Sequence, residues 1–109
     1  MALWTKNCDV NQILIADDDG TIRKVFPMIL SHSFPDLAIE EAVNGLEAVR
    51  QFQAHHPAMI IMDLRMPEMD GLNAVLTIRD ICKKENRRMP AIIFCTGFVP
   101  PDEVHEIVG

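Results

Sequence analysis

The sequence predicts an α/β domain, an open parallel sheet with helices on both faces. Three observations carry this. Short apolar runs alternate with segments of helical periodicity, the mark of βαβ units. One run, "AMIIM" (58–62), is apolar on both alternating faces, as suits a central parallel strand covered by helices. Finally, runs end in polar residues, at Asp17-Asp18-Asp19, Asp63 and Thr96. In such a sheet the strand C-terminal ends share one edge, and ligands bind in the crevice there.

Taken in order, "QILIA" (12–16) reads as the first strand and stops at Asp17-Asp18-Asp19-Gly20. Ile22, Val25, Phe26, Ile29 and Leu30 then follow helical spacing. Asp19 suits the cap of that helix. Pro27 falls inside it and removes a backbone donor, which predicts a kink or a late start. "DLAIEEAV" (36–43) is a more polar strand, suited to an edge. Asn44 can cap the next helix, with Glu47 three residues on as in a capping box. That helix carries Leu46, Val49, Gln51 and Phe52 and ends near His55-His56-Pro57.

The third strand, 58–62, delivers Asp63. A third amphipathic helix runs from Gly71 to about Lys84, with Leu72, Val75, Leu76, Ile78 and Cys82. Its polar tail, "KKENRR" (83–88), puts basic residues at a helix C-terminus, where the dipole favours them. "AIIFC" (91–95) is the fourth strand, running into Thr96-Gly97. "PPDEVHEIVG" (100–109) opens a fourth helix, with Pro101 and two acids in its first turn.

The 109 residues fit one domain, read as a leader over 1–10 and a domain over 11–109. Apolar residues at 49% suffice for a core. The net charge of −6 disfavours direct nucleic-acid contact. No apolar run approaches the ~20 residues of a membrane span, and the leader lacks the apolar stretch of a signal peptide. A cytoplasmic protein with no membrane contact is expected. Cys8, Cys82 and Cys95 are widely separated and read as reduced thiols, Cys95 as a small core residue. His55-His56 are helix-end residues with no third ligand nearby, and the Met residues of 59–69 are core or loop filler.

The acids carry the chemistry. A lone Asp after a strand is ordinarily a cap or turn former. A Thr that ends a strand ordinarily reflects β-propensity. If the first, third and fourth strands are neighbours, however, these groups converge. Carboxylates held close repel one another. A hard divalent cation relieves that repulsion, and magnesium suits a site with one or two carboxylates and room for phosphate. A carboxylate beside magnesium is also a plausible nucleophile for a phosphoryl group. Thr96 could then donate its hydroxyl to a phosphoryl oxygen.

From about Gln12 onward the chain resembles the receiver domain of two-component response regulators (CheY-like). The resemblance rests on "ILIADDD" (13–19), "MDLRMPEMDG" (62–71), "FCTG" (94–97) and "EAVNGLEAV" (41–49). It implies a flavodoxin-like sheet, order 2-1-3-4 for the strands present. It also implies that Asp63 is the phosphoacceptor, taking a phosphoryl group from a histidine kinase or phosphotransfer protein. Asp18 and Asp63 would ligate Mg2+ by their side chains, Asp17 mainly through a metal-bound water, and Arg65 by its backbone carbonyl. Thr96 would be the switch hydroxyl. Pro67 would shape the loop after the acceptor, and Gly71 the turn into the next helix. The side chains of Arg65 and Phe98 would lie near the phosphoryl group, where they can tune its lifetime. Arg65 could equally pair with the acids or stay solvated.

The chain departs from that family's pattern at its end. The family's lysine on a fifth strand has no counterpart, since the last lysine is Lys84. A fifth strand, its switch aromatic and a fifth helix are also missing. This reads as a C-terminally truncated domain, or one whose missing edge comes from a partner chain. It leaves "AIIFC" as an apolar edge that invites self-association.

The leading expectation is thus a phosphorylation-controlled signalling switch, not an enzyme acting on other substrates. The alternatives are a receiver-like interaction module that is never phosphorylated, and a magnesium-dependent phosphatase of the haloacid dehalogenase type. The phosphatase wants a second Asp two residues after the first, and Arg65 stands there.

Overall fold

The computed structural model describes residues 9–94. Strand β1 (Asp9–Ala16) is followed by α1 (Gly20–Ser33), β2 (Ala38–Ala42), α2 (Gly45–His55), β3 (Pro57–Met62), α3 (Gly71–Glu85) and β4 (Ala91–Phe94). The four strands are parallel, in the order β2-β1-β3-β4. The expected βαβ alternation, the edge position of β2 and the central position of β3 are all observed. Five strands are not present among the described residues. The fourth helix, Cys8, Cys95, Thr96 and Phe98 lie outside them.

Alternation along the strands divides the core. Leu14, Ala16, Ile60 and Met62 point to the face covered by α2 and α3. Ile13, Ile15 and Ile61 point to the other, with Phe26 and Leu30 of α1 laid against them. The layer under α2 and α3 is the thicker one and holds Phe52, Ala74, Val75, Ile78 and Cys82. Burying a ring such as that of Phe52 contributes roughly 2–3 kcal/mol. The opposite layer is thin. No residue of α1 is fully buried, and Met28, Ile29 and Phe34 are exposed.

This imbalance corrects part of the helical pattern. Val25, Ile29 and Leu46 keep the spacing of a buried face, yet all three are exposed. The inward positions of α2 are Gly45, Ala48 and Phe52. Small residues there let the helix sit close to the sheet, and Leu46 is turned outward. In α3 the buried set is Gly71, Ala74, Val75, Ile78 and Cys82, with Leu72 and Leu76 at its margin.

The ends of the helices follow their local chemistry. The Asp19 carboxylate accepts from the Thr21 N–H at 2.8 Å, and the Asn44 side chain accepts from the Glu47 N–H at 2.8 Å. Asp70 caps α3 in the same way, accepting from the Asn73 N–H at 2.8 Å. Pro27 does not delay α1, which begins at Gly20 and continues past it. Helix α2 closes on His56 and α3 on Asn86, both in the left-handed region at φ 48 and 54.

His56 sits edge-on to the Phe52 ring, centroids 5.4 Å apart, and its buried Nδ1 has no hydrogen-bond partner among the described residues. Burial holds its pKa below the ordinary 6.5, Arg87 lowers it further, and Glu85 acts the other way. A depressed folded pKa means that the unfolded chain binds the proton first. The neutral ring's stabilising share is therefore present above pH 6.5 and is lost as pH falls through the lower folded value. Thermal unfolding from pH 7.5 downward is expected to show falling stability below ~6.5. His56→Asn, which tolerates the left-handed cap, should flatten that dependence.

Candidate phosphoacceptor site

The sheet register builds the site. Ala16 of β1 lies opposite Met62 of β3, so both strands end at the same level. The next residues continue the ladder. Asp17 donates its N–H to the Ala42 carbonyl at 3.0 Å, and Asp63 donates its own to the Ala16 carbonyl at 2.9 Å. The backbones of both acids are thus fixed by the sheet before any side chain is considered.

Their side chains then meet. One carboxylate oxygen each from Asp17, Asp18 and Asp63 lies within 4.8 Å of the others. Asp17 is buried at 5% exposure, Asp63 is half-buried and Asp18 is exposed. Burial pushes the Asp17 carboxyl above its ordinary value; the Asp19 N–H, 2.8 Å from its Oδ1, works the other way, and the charges of Asp63, Asp18 and Asp19 add to the rise. Crowded like charges in a partly desolvated cleft call for a cation. The donor set is all oxygen, which is the preference of Mg2+. These residues therefore fit the metal.

The loop after Asp63 is closely held. The Asp63 Oδ1 accepts from the Arg65 N–H at 3.1 Å. Gly71 donates its N–H to the Leu64 carbonyl at 2.9 Å, and Met69 donates to the Pro67 carbonyl at 2.7 Å. Gly71 is required by space: a Cβ there would lie 2.1 Å from the Asp63 carbonyl oxygen. Pro67 is exposed at the outer turn. The Arg65 side chain is exposed and, among the described residues, forms no ion pair with the acids. Met66, expected as core or loop filler, is buried, and so is Leu64, for which the sequence reading had no role. Their alternation with Asp63 and Arg65 along "DLRM" was the available signal.

A family model for the response regulator receiver domain matches residues 13–108. The chain belongs to the response regulator receiver domain family. This receiver domain is 38% identical over 71 residues to the chemotaxis protein CheY of Bacillus subtilis, covering 65% of this chain and 58% of that protein. It is 42% identical over 84 residues to protein-glutamate methylesterase/protein-glutamine glutaminase 1 of Methanosarcina acetivorans, covering 76% of this chain and 22% of that protein. It thus spans about a fifth of the methylesterase's length. Among solved structures it is similar to the receiver domain of the histidine kinase CKI1 from Arabidopsis thaliana, complexed with Mg2+ and BeF3−. The TM-score is 0.75 and the identity 29%, covering 95% of this chain and 77% of that one. No helix among the described residues is long and apolar enough to cross a membrane.

The carboxylate crowding has a measurable consequence. Asp17→Asn keeps the acceptor for the Asp19 N–H and removes one of the facing charges. In metal-free buffer the variant is expected to melt higher, by about 1 kcal/mol or roughly 4–8 °C. Mg2+ should raise the melting temperature of the unaltered chain and do so less for the variant. Calorimetry with and without Mg2+ checks both.

Proposed function

We propose that this receiver domain takes a phosphoryl group from a histidine kinase or phosphotransfer protein onto Asp63 and so controls an output. The observation that carries the reading is the convergence of Asp17, Asp18 and Asp63 at the end of β1 and β3. A carboxylate oxygen of Asp63 attacks phosphorus and forms the new O–P bond. The donor's own bond to phosphorus breaks, P–N for a phosphohistidine, and the histidine leaves with the electron pair. The Arg65 N–H orients the attacking carboxylate through its bond to Oδ1. Asp18, Asp63 and the Arg65 carbonyl would hold Mg2+, with Asp17 acting through a water. The ion would offset the charge of the incoming phosphoryl oxygens. Thr96 is assigned the switch hydroxyl, Pro67 and Gly71 the shaping of the loop.

The phosphatase reading is disfavoured by Arg65, which stands where the general acid would be and is turned to solvent. An unphosphorylated interaction module would have no need of a buried Asp17 facing Asp63. The net charge of −6 favours protein partners over direct nucleic-acid contact, and we place the module in the cytoplasm.

Intact mass after exposure to acetyl phosphate and Mg2+ is the direct test. One added phosphoryl group, absent from Asp63→Asn, is expected. A chain that stays unlabelled, or a variant that labels equally, defeats the assignment of Asp63.

The described part of β4 pairs with β3 alone, and Ile93 is 47% exposed. We propose that the 109-residue chain self-associates through this edge. Light scattering should give a mass above one chain at high concentration, with Ile93→Lys shifting it toward one. A single-chain mass throughout counts against it.

A further inference from the structure

Gly45, the first residue of α2, is buried and lies against the loop that follows Asp63. A Cβ built on it would sit 2.0 Å from the Met69 carbonyl oxygen, 2.7 Å from the carbonyl carbon and 2.8 Å from the Met69 Cβ. Two of these atoms are backbone, so no flexible end can swing away. The loop arrives there through an unusual turn. Glu68 has φ 68, in the left-handed region, and Met69 donates its N–H to the Pro67 carbonyl. That turn lays the Met69 carbonyl on the space that Gly45 leaves open.

We propose that Gly45 is a positioning residue for the Asp63 site. It is not a member of the acidic cluster. It acts through Met69, by admitting the backbone of the 63–70 loop against the first turn of α2. Gly71 pins the base of the same loop on the Asp63 carbonyl, and Met66 buries its middle. Gly45 pins its far end. Together the three leave the Asp63 carboxylate and the Arg65 backbone a single placement. A side chain at 45 would push Met69 away by ~1 Å or more. A displacement of that size at a site that works by alignment lowers rates by up to ~100-fold.

This rests on the phosphoacceptor reading, and the test separates the two. Labelling by acetyl phosphate at saturating Mg2+ is followed by intact mass in the unaltered chain, in Gly45→Ala and in Ala48→Gly. Ala48 lies one turn along the same helix, and its loss weakens α2 without adding an atom near Met69. Folding is checked by circular dichroism. Gly45→Ala is expected to label ~10- to 100-fold more slowly. Ala48→Gly should melt lower yet label at the unaltered rate. Equal labelling by Gly45→Ala overturns the proposal, and so does equal slowing by Ala48→Gly.

A second measurement covers a Gly45→Ala chain that does not fold. In the unaltered chain, Mg2+ with beryllofluoride should shift the Gly45 and Leu46 amide resonances, although neither residue belongs to the acidic cluster. Unmoved resonances overturn the proposal. An unaltered chain that takes up no phosphoryl group defeats the phosphoacceptor reading instead, and the shift of the Gly45 and Leu46 resonances on adding Mg2+ alone then decides the positioning role.

Discussion

The parallel register of β1 on β3 is the constraint on which the site depends. Ala16 opposite Met62 ends both strands at one level, and two further backbone hydrogen bonds carry the ladder into Asp17 and Asp63. The acids are therefore brought together by apolar strands whose own pairing favours that alignment. Their mutual repulsion is a cost borne by the sheet. A slip of one residue would turn Leu14 and Ile60 to the wrong face and separate the carboxylates at once. Core packing and site geometry are in this sense one choice.

The two faces of the sheet are built unequally. Small residues at Gly45, Ala48, Gly71 and Ala74 bring α2 and α3 close, and the thick apolar layer lies there. The opposite layer rests on Ile13, Ile15 and Ile61, with α1 half-exposed above it. The loop that follows Asp63 belongs to the thick side, where Leu64 and Met66 are buried. Among the described residues, the thin side and β4 carry exposed apolar side chains, Met28, Ile29 and Ile93 among them.

The fold class and the convergence of Asp17, Asp18 and Asp63 could be read from residues alone. Alternation of runs, caps at Asp19 and Asn44, and the doubly apolar "AMIIM" are local signals, and each reflects a short-range physical preference. The motif around "DLRMPEMDG" brought the receiver family to view, and the family model and the relatives agree with it. The helix faces were less legible. Val25, Ile29 and Leu46 follow the buried spacing, but which stripe is covered depends on what lies across from it. Position 45 passed unremarked for the same reason. Its neighbour Met69 is distant in sequence, and only the folded chain brings the two within contact.

The sequence by itself determined where strands end in acids, which residues cap the helices and which chemistry the acids suit. These properties depend on a residue and its near neighbours. Tertiary structure alone decided that Asp17 is the buried member of the cluster, that Arg65 is exposed without an ion pair to the acids among the described residues, and that Gly45 and Gly71 face backbone with no room for a side chain. Burial and close approach are set by segments far apart in the chain, so no local pattern encodes them.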